Sequence, residues 1–346
     1  KFGTYYLNIK IFFLILIGLN KKLNLKSSYV YAIIKLIKKK VVLENTHDWN
    51  TLLIANEFKK IKFFMLLQGS WFFLLEDGKK FIPRILQYEL PKLKTDNMEN
   101  FTIFLWGKKD QEILEELGVN KRIKNCNLKK VGSYEASYHN RLYRGKFNEN
   151  NSIICIAQLH PMILSSENEI SQVIQKDTIA AIKLILNYVK KRNLEFFYIN
   201  RSHNNERHIE ENFILRNIND LDKTNIILNT NDNLWKEIFK SKIVTSICST
   251  VAQDAIYLKK KTILIPLNHS KIYKWSSSKY KDDKDFWPWT IESNNQSNFN
   301  HICDHIANLT QNEYEQKISK LHSYWFHQND YESDKIIQQN LKQYIS

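Results

Sequence analysis

Two stretches of the chain hold residue types at spacings that could do chemistry. In the first, 243–266, an apolar strand runs into a hydroxyl-rich turn with Ser246, Ser249 and Thr250, then a helix, a basic turn and a second apolar strand. Ser249 and Thr250 stand where a helix N-cap belongs, and Ala252, Ala255, Ile256 and Leu258 form the apolar face behind them. A helix N-terminus presents unpaired N–H groups and the positive end of its dipole. With hydroxyls at its mouth it suits an anion, and after a parallel strand that anion is most often a nucleotide phosphate. An ordinary cap is the competing reading. In the second stretch, Glu44, His47 and Asp48 place three titratable groups just past the end of an apolar strand, a usual position for a general base. Here the alternative is a plain helix start capped by Thr46 or Asp48.

Smaller groups sit at other predicted strand ends. Gln68, Gly69 and Ser70 offer backbone donors and an amide for acceptor or sugar contact, or else a tight turn, and Trp106-Gly107 and Gly132-Ser133 share that ambiguity. His160-Pro161 reads as a loop over a nucleotide or as a proline-rigidified turn with Ser165 or Ser166 capping the next helix. Arg201, His203 and Arg207 could meet a phosphate or carboxylate, or be solvated loop charge. Lys274-Trp275 and Trp287-Pro288-Trp289 could stack a sugar or base, or pack as a satellite aromatic cluster.

Several chemistries are poorly supported. The sequence carries no P-loop, zincin, nucleophile-elbow or dinucleotide glycine motif and no DxD pair. With only 8 glycines in 346 residues, a glycine-rich phosphate cradle is not expected either, so an anion must be held by helix N-termini, hydroxyls and basic side chains. Cys126, Cys155, Cys248 and Cys303 lie far apart without a CxxC pair, which fits neither a zinc site nor a disulfide framework and implies a reducing compartment. The balance of 51 Lys+Arg against 36 Asp+Glu, a formal +15, suits an anionic partner, but the lysines are spread along the chain rather than gathered for nucleic acid. The apolar run 11–19 is too short to span a bilayer and reads as a buried strand or helix.

The elements that must position these residues alternate strand, turn and helix, once over 41–133 and again over 153–266. Strands are predicted over 41–44, 62–67, 101–106, 128–131, 153–157, 195–200 and 225–228, with the opening strand at Ile243 after them. Helices are predicted over 28–40, 51–58, 110–117, 170–191, 234–239 and near the C-terminus. This is the grammar of an α/β chain with two doubly wound parallel-sheet domains. The polar segment 139–151 is taken as the linker, giving domains 1–145 and 146–330 and a final helix 331–346 that could return to the first domain.

Ordered landmarks then give a resemblance. Glu44 to Trp49 before a helix, Leu67 to Ser70, the passage from Phe101 to Leu114 with Lys129 to Ser133, and Cys248 to Ala255 before 261–266 together resemble bacterial surface-carbohydrate (capsule and lipopolysaccharide) glycosyltransferases. These have two Rossmann-like domains facing a cleft, the GT-B architecture, and include Kdo-, sialyl- and glycerophosphotransferase-like enzymes. The resemblance implies a nucleotide-sugar donor, CMP-, CDP- or UDP-linked, in the C-terminal domain and a glycan or lipid-linked acceptor facing the N-terminal one. It implies no metal and no cofactor. Ser249, Thr250 and Ser246 would hold the donor phosphate, with Asp254 near the ribose or base and Arg201 and His160 beside them. Gln68 and Gly69 would contact acceptor or sugar, and Glu44, His47 or Asp48 would be base or nucleophile. Relatives that use acidic sugars carry His-Pro where this chain has Asn200-Arg201, its own His-Pro lying earlier at His160. A cytoplasmic protein, peripheral on the anionic inner membrane face and without nucleic acid, is expected. The alternatives are a nucleotide-sugar 2-epimerase of the same fold and a non-catalytic basic binder of nucleic acid or membrane.

Overall fold

The computed structural model describes residues 14, 16–17, 25–37, 41–44, 50–66, 97–116, 124–156, 159, 161–200, 206–229, 234–247, 249–267, 287–327 and 330–345. These fall into two compact units. The first holds the described residues up to Val131 together with those from Lys335 onward, and the second runs from Gly132 to Asp334.

The sheet of the first unit is parallel, with β1 (Val41–Glu44), β2 (Lys62–Leu66), β3 (Phe101–Leu105) and β4 (Asn127–Lys130) side by side in chain order. β3 is buried throughout and β2 from Phe63 on, as strands covered on both faces must be, and their side chains are continuously apolar or nearly so. Phe63 stacks on Phe101 and Phe64 on Phe104 across this pair. Asn100, buried just before β3, donates through Nδ2 to the carbonyls of Ala55, Phe58 and Ile61, which satisfies the end of helix Asn50–Glu57 and the turn into β2. The helix Ser333–Ile345 belongs to this unit from Lys335 on. There Lys129 Nζ donates to Asn340 Oδ1 at 2.8 Å, and Tyr344 packs 5.8 Å from Phe64.

The second unit holds β5 (Ser152–Ile156), β6 (Glu195–Ile199), β7 (Ile227–Asn229), β8 (Ile243–Ser246) and β9 (Thr262–Leu264), all parallel, in the order β7-β6-β5-β8-β9. The first strand lies in the middle, and the chain builds outward to one side and then to the other. With right-handed crossovers, that order sends helices to opposite faces, the doubly wound arrangement. Helix Glu169–Arg192 makes the first crossover, capped by Asn168 at its start and by left-handed Asn193 at its end, and it packs on β5 and β6.

Three expectations change. Residues 139–151 are not simply a linker: 139–143 finish the helix Tyr134–Tyr143, which Ser133 caps, and the division falls after Val131. Helix Arg207–Asn217, absent from the sequence reading, follows β6, and its charged surface hides any apolar period. Of the apolar run 11–19 only residues 14, 16 and 17 are described; they are helical, with Leu16 and Ile17 exposed rather than buried. Trp287 is fully buried and Trp289 nearly so, Trp287 5.7 Å from Trp325 and Trp289 stacked on Tyr314, so these tryptophans pack the second core. Among the described residues no helix is long and apolar enough to cross a membrane.

Candidate functional site

In the second sheet β5 and β8 are neighbours, and the connections leaving them run to opposite sides. Such a switch point opens a crevice beyond the carboxyl ends of the two strands, where ligands of doubly wound sheets bind. Ile156 and Ser246, paired in register, mark those ends. Ser249 then takes extended backbone angles (φ −113°, ψ 140°) and caps helix Thr250–Tyr257, its Oγ accepting from Val251 N at 3.2 Å. Thr250 heads the helix with an exposed side chain. The sequence-predicted turn is therefore a cap, and the helix N-terminus it caps stands at the switch point.

The other hydroxyls and charges of this stretch have structural partners. Ser246 Oγ donates to Ile156 O at 3.3 Å and Thr245 Oγ1 to Ile154 O at 2.8 Å, tying β8 to β5. The basic turn serves packing: Lys259, at positive φ, pairs with Glu315 at 3.0 Å, Lys260 donates to Phe239 O and Lys261 to Leu309 O. Burial pulls the Lys260 and Lys261 ammonium groups below their ordinary range.

Asp254, one turn into the helix, is 3 % exposed and accepts from Ser133 Oγ at 2.5 Å. Burial, and the Glu135 carboxyl nearby, hold its carboxyl well above the usual range, against the opposing effect of the Ser133 bond. Beneath it, the hydroxyls of Ser137, Tyr257 and Ser333 form a closed triangle with sides of 3.1, 2.9 and 3.0 Å, all buried. Gly132 lies against this triangle at φ +83°. Sequence reasoning singled out Gly132, Ser133 and Asp254 but missed the triangle, because Ser137, Tyr257 and Ser333 come from three distant segments of ordinary composition.

At the carboxyl end of β6 stands Asn200, buried, its Nδ2 donating to Glu211 Oε1 at 2.9 Å. Arg207 pairs with Glu211 and also donates to Leu228 O, so it serves a local network rather than solvent. In the first unit Glu44 ends β1, opposite Met65 in register, at the carboxyl edge of that sheet. Trp106 and Gly107 close a turn: both backbone N–H groups donate to Asp110 Oδ2, at 2.8 and 3.3 Å. His47, Asp48, Gln68, Gly69, Ser70, His160, Arg201, His203, Lys274 and Trp275 lie outside the described residues. Among those described, no three His, Cys, Asp or Glu residues gather as a metal site.

Residues 115–345 match the model of a family described as "putative O-antigen biosynthesis protein". The chain belongs to that family. No curated protein sequence matches it. Among solved structures it is similar to the UDP-GlcNAc 2-epimerase of Methanocaldococcus jannaschii in complex with UDP-GlcNAc and UDP (11 % identity, 94 % of this chain and 81 % of that one, TM-score 0.52). A variant of the wall teichoic acid polymerase TagF with CDPG is similar too (11 %, 92 % and 74 %, TM-score 0.54), as is the pneumococcal O-GlcNAc transferase GtfA in complex with UDP and GlcNAc (12 %, 92 % and 60 %, TM-score 0.50). At such identities the likeness is one of fold. This family member thus has the two parallel-sheet domains of the GT-B architecture, and the resemblance to surface-carbohydrate enzymes holds at the level of family and fold.

Proposed function

We propose that this family member is a glycosyltransferase that binds a nucleotide-activated donor in its second unit and moves the sugar to a surface-polysaccharide or lipid-linked acceptor. The observation that carries the reading is the Ser249-capped N-terminus of helix Thr250–Tyr257 at the β5/β8 switch point. The departing nucleotide accumulates negative charge on its phosphate as the glycosidic bond breaks. Helix N–H groups and the hydroxyls of Ser249 and Thr250 can offset that charge without a metal ion. Glu44, at the carboxyl edge of the first sheet, is the proposed base that takes the acceptor's proton, with His47 and Asp48 near it in sequence. The donor is CDP- or UDP-linked by analogy with the ligands named for the neighbours, and a cytoplasmic place of action, peripheral on the membrane, accompanies such a donor.

A thermal-shift screen with CMP, CDP, UDP and GDP tests this directly, because a ligand that binds only the folded state raises the melting temperature. One nucleoside diphosphate is expected to stabilise the protein, and Ser249→Ala combined with Thr250→Ala to abolish that shift with the fold intact. No shift with any nucleotide refutes the donor site, and an unchanged shift in the double variant moves it elsewhere. The epimerase neighbour favours one second reading, a nucleotide-sugar 2-epimerase. Following a UDP-sugar by NMR separates the two: an epimerase yields the C2 epimer, again a UDP-sugar, without any acceptor, whereas a transferase consumes the UDP-sugar and releases UDP as the acceptor is glycosylated.

A further inference from the structure

Asn200 follows the last residue of β6 and is 1 % exposed. Its neighbours decide how its amide lies. Arg207 holds the Glu211 carboxylate, and that carboxylate accepts from Asn200 Nδ2 at 2.9 Å. Turned over, the amide would set Oδ1 against a carboxylate oxygen, acceptor against acceptor. Oδ1 is therefore directed away from Glu211, where it is buried and has no hydrogen-bond partner. Buried amide oxygens in native proteins are almost always paired, so an unpaired one marks a place where a partner belongs.

That partner must donate. Phosphate oxygens are acceptors and do not suit this atom, whereas a sugar hydroxyl or a base N–H does. β6 and β8 are separated by β5 alone, two strand spacings or ~9.6 Å across the sheet. A nucleotide whose diphosphate meets the Thr250 helix can extend its ribose across β5 toward β6. In dinucleotide-binding sheets of this winding, where the pyrophosphate sits on the helix after the first strand, a side chain at the end of the second strand accepts from a ribose hydroxyl, which shows that this strand end can reach a nucleotide's ribose. Asp254, the acceptor the sequence offered for that task, is engaged by Ser133 in the interior. We infer that Asn200 recognises the ribose of the donor nucleotide, Oδ1 accepting from its 2′-hydroxyl, with Glu211 and Arg207 as positioning residues that hold the amide in the accepting orientation. This rests on the nucleotide site proposed above.

The test measures dissociation constants by isothermal titration for CDP and UDP and their 2′-deoxy forms, on wild type, Asn200→Ala and Glu211→Gln. Wild type is expected to favour the ribonucleotide it binds by about tenfold, the order of one lost hydrogen bond to a neutral group. Asn200→Ala should bring that ratio close to one while leaving affinity for the deoxy form unchanged. Glu211→Gln, which can face either end of the amide, should reduce the ratio without touching the nucleotide, and it decides the matter if Asn200→Ala does not fold. A tenfold ratio that survives in the folded variants overturns the role of Asn200 and leaves the donor site standing. Absence of binding by either nucleotide to wild type overturns both.

Discussion

Gly132→Ala is expected to destabilise the second unit by roughly 3 kcal/mol, and the figure follows from two contributions. At φ +83° the backbone is left-handed, and a side chain there costs ~1–2 kcal/mol. An added Cβ would also lie 2.8 Å from both Ser333 Oγ and Tyr257 OH and 3.0 Å from Tyr257 Cε2. These are buried groups held by one another, not the free ends of surface side chains, so the hydroxyl triangle must open. Two of its three sides meet at Tyr257, and each neutral hydrogen bond contributes ~0.5–1.5 kcal/mol net. For a unit of this size the sum corresponds to a fall in melting temperature of about 6–12 °C. Differential scanning calorimetry of Gly132→Ala, Tyr257→Phe and the double variant measures it. Removing the Tyr257 hydroxyl also removes one of the atoms the new methyl strikes, so the double variant should be less destabilised than the sum by at least ~1 kcal/mol. A shift below ~2 °C for Gly132→Ala, or strict additivity, would refute the triangle as the reason for glycine.

Two further outcomes are expected. Burial keeps Asp254 protonated to higher pH in the folded protein than in the unfolded chain, so between those two pKa values the native state binds more protons and stability falls as pH rises. Asp254→Asn, which can still accept from Ser133, should therefore be more stable than wild type at pH 8 by denaturant titration, with the gain disappearing near pH 4; a gain that is constant or grows toward acid contradicts the sign. Glu44→Gln should lower the transfer rate by about 10²–10⁴-fold with the melting temperature unchanged, and full activity in that variant removes it from the base role.

The strands were legible because parallel strands buried on both faces need largely apolar runs, as in 63–66, 101–105 and 153–156. The long helix Glu169–Arg192 was legible for the same reason, its buried positions recurring at helical spacing. Strand order was not, since nothing local in 153–157 or 243–246 says that β5 and β8 are neighbours; pairing is set by crossover handedness and packing over ninety residues. Ser249 was found because a cap has a local signature. Asn200 was passed over because its meaning depends on Glu211 and Arg207, on a helix whose period is masked by charge.

One helix therefore carries two jobs that mutagenesis can confuse. Its N-terminus, Ser249 and Thr250, stands at the carboxyl edge of the sheet, where donor binding is proposed, while Asp254 and Tyr257 fasten Ser133, Ser137 and Ser333 inside the same unit. The chain leaves this unit beside Gly132 and again just after Ser333, so residues at both departures are secured by the far end of the helix whose N-terminus is the proposed anion site. Loss of activity in an Asp254 or Tyr257 variant would then say little about donor binding by itself. The informative comparison is between melting temperature without nucleotide and the shift that nucleotide produces. Changes at Asp254 and Tyr257 move the first quantity, and changes at Ser249 and Thr250 move mainly the second. If Tyr257→Phe instead left the unliganded melting temperature intact and abolished the nucleotide shift, the far end of the helix would belong to the binding site, and the division of labour along these eight residues would be wrong.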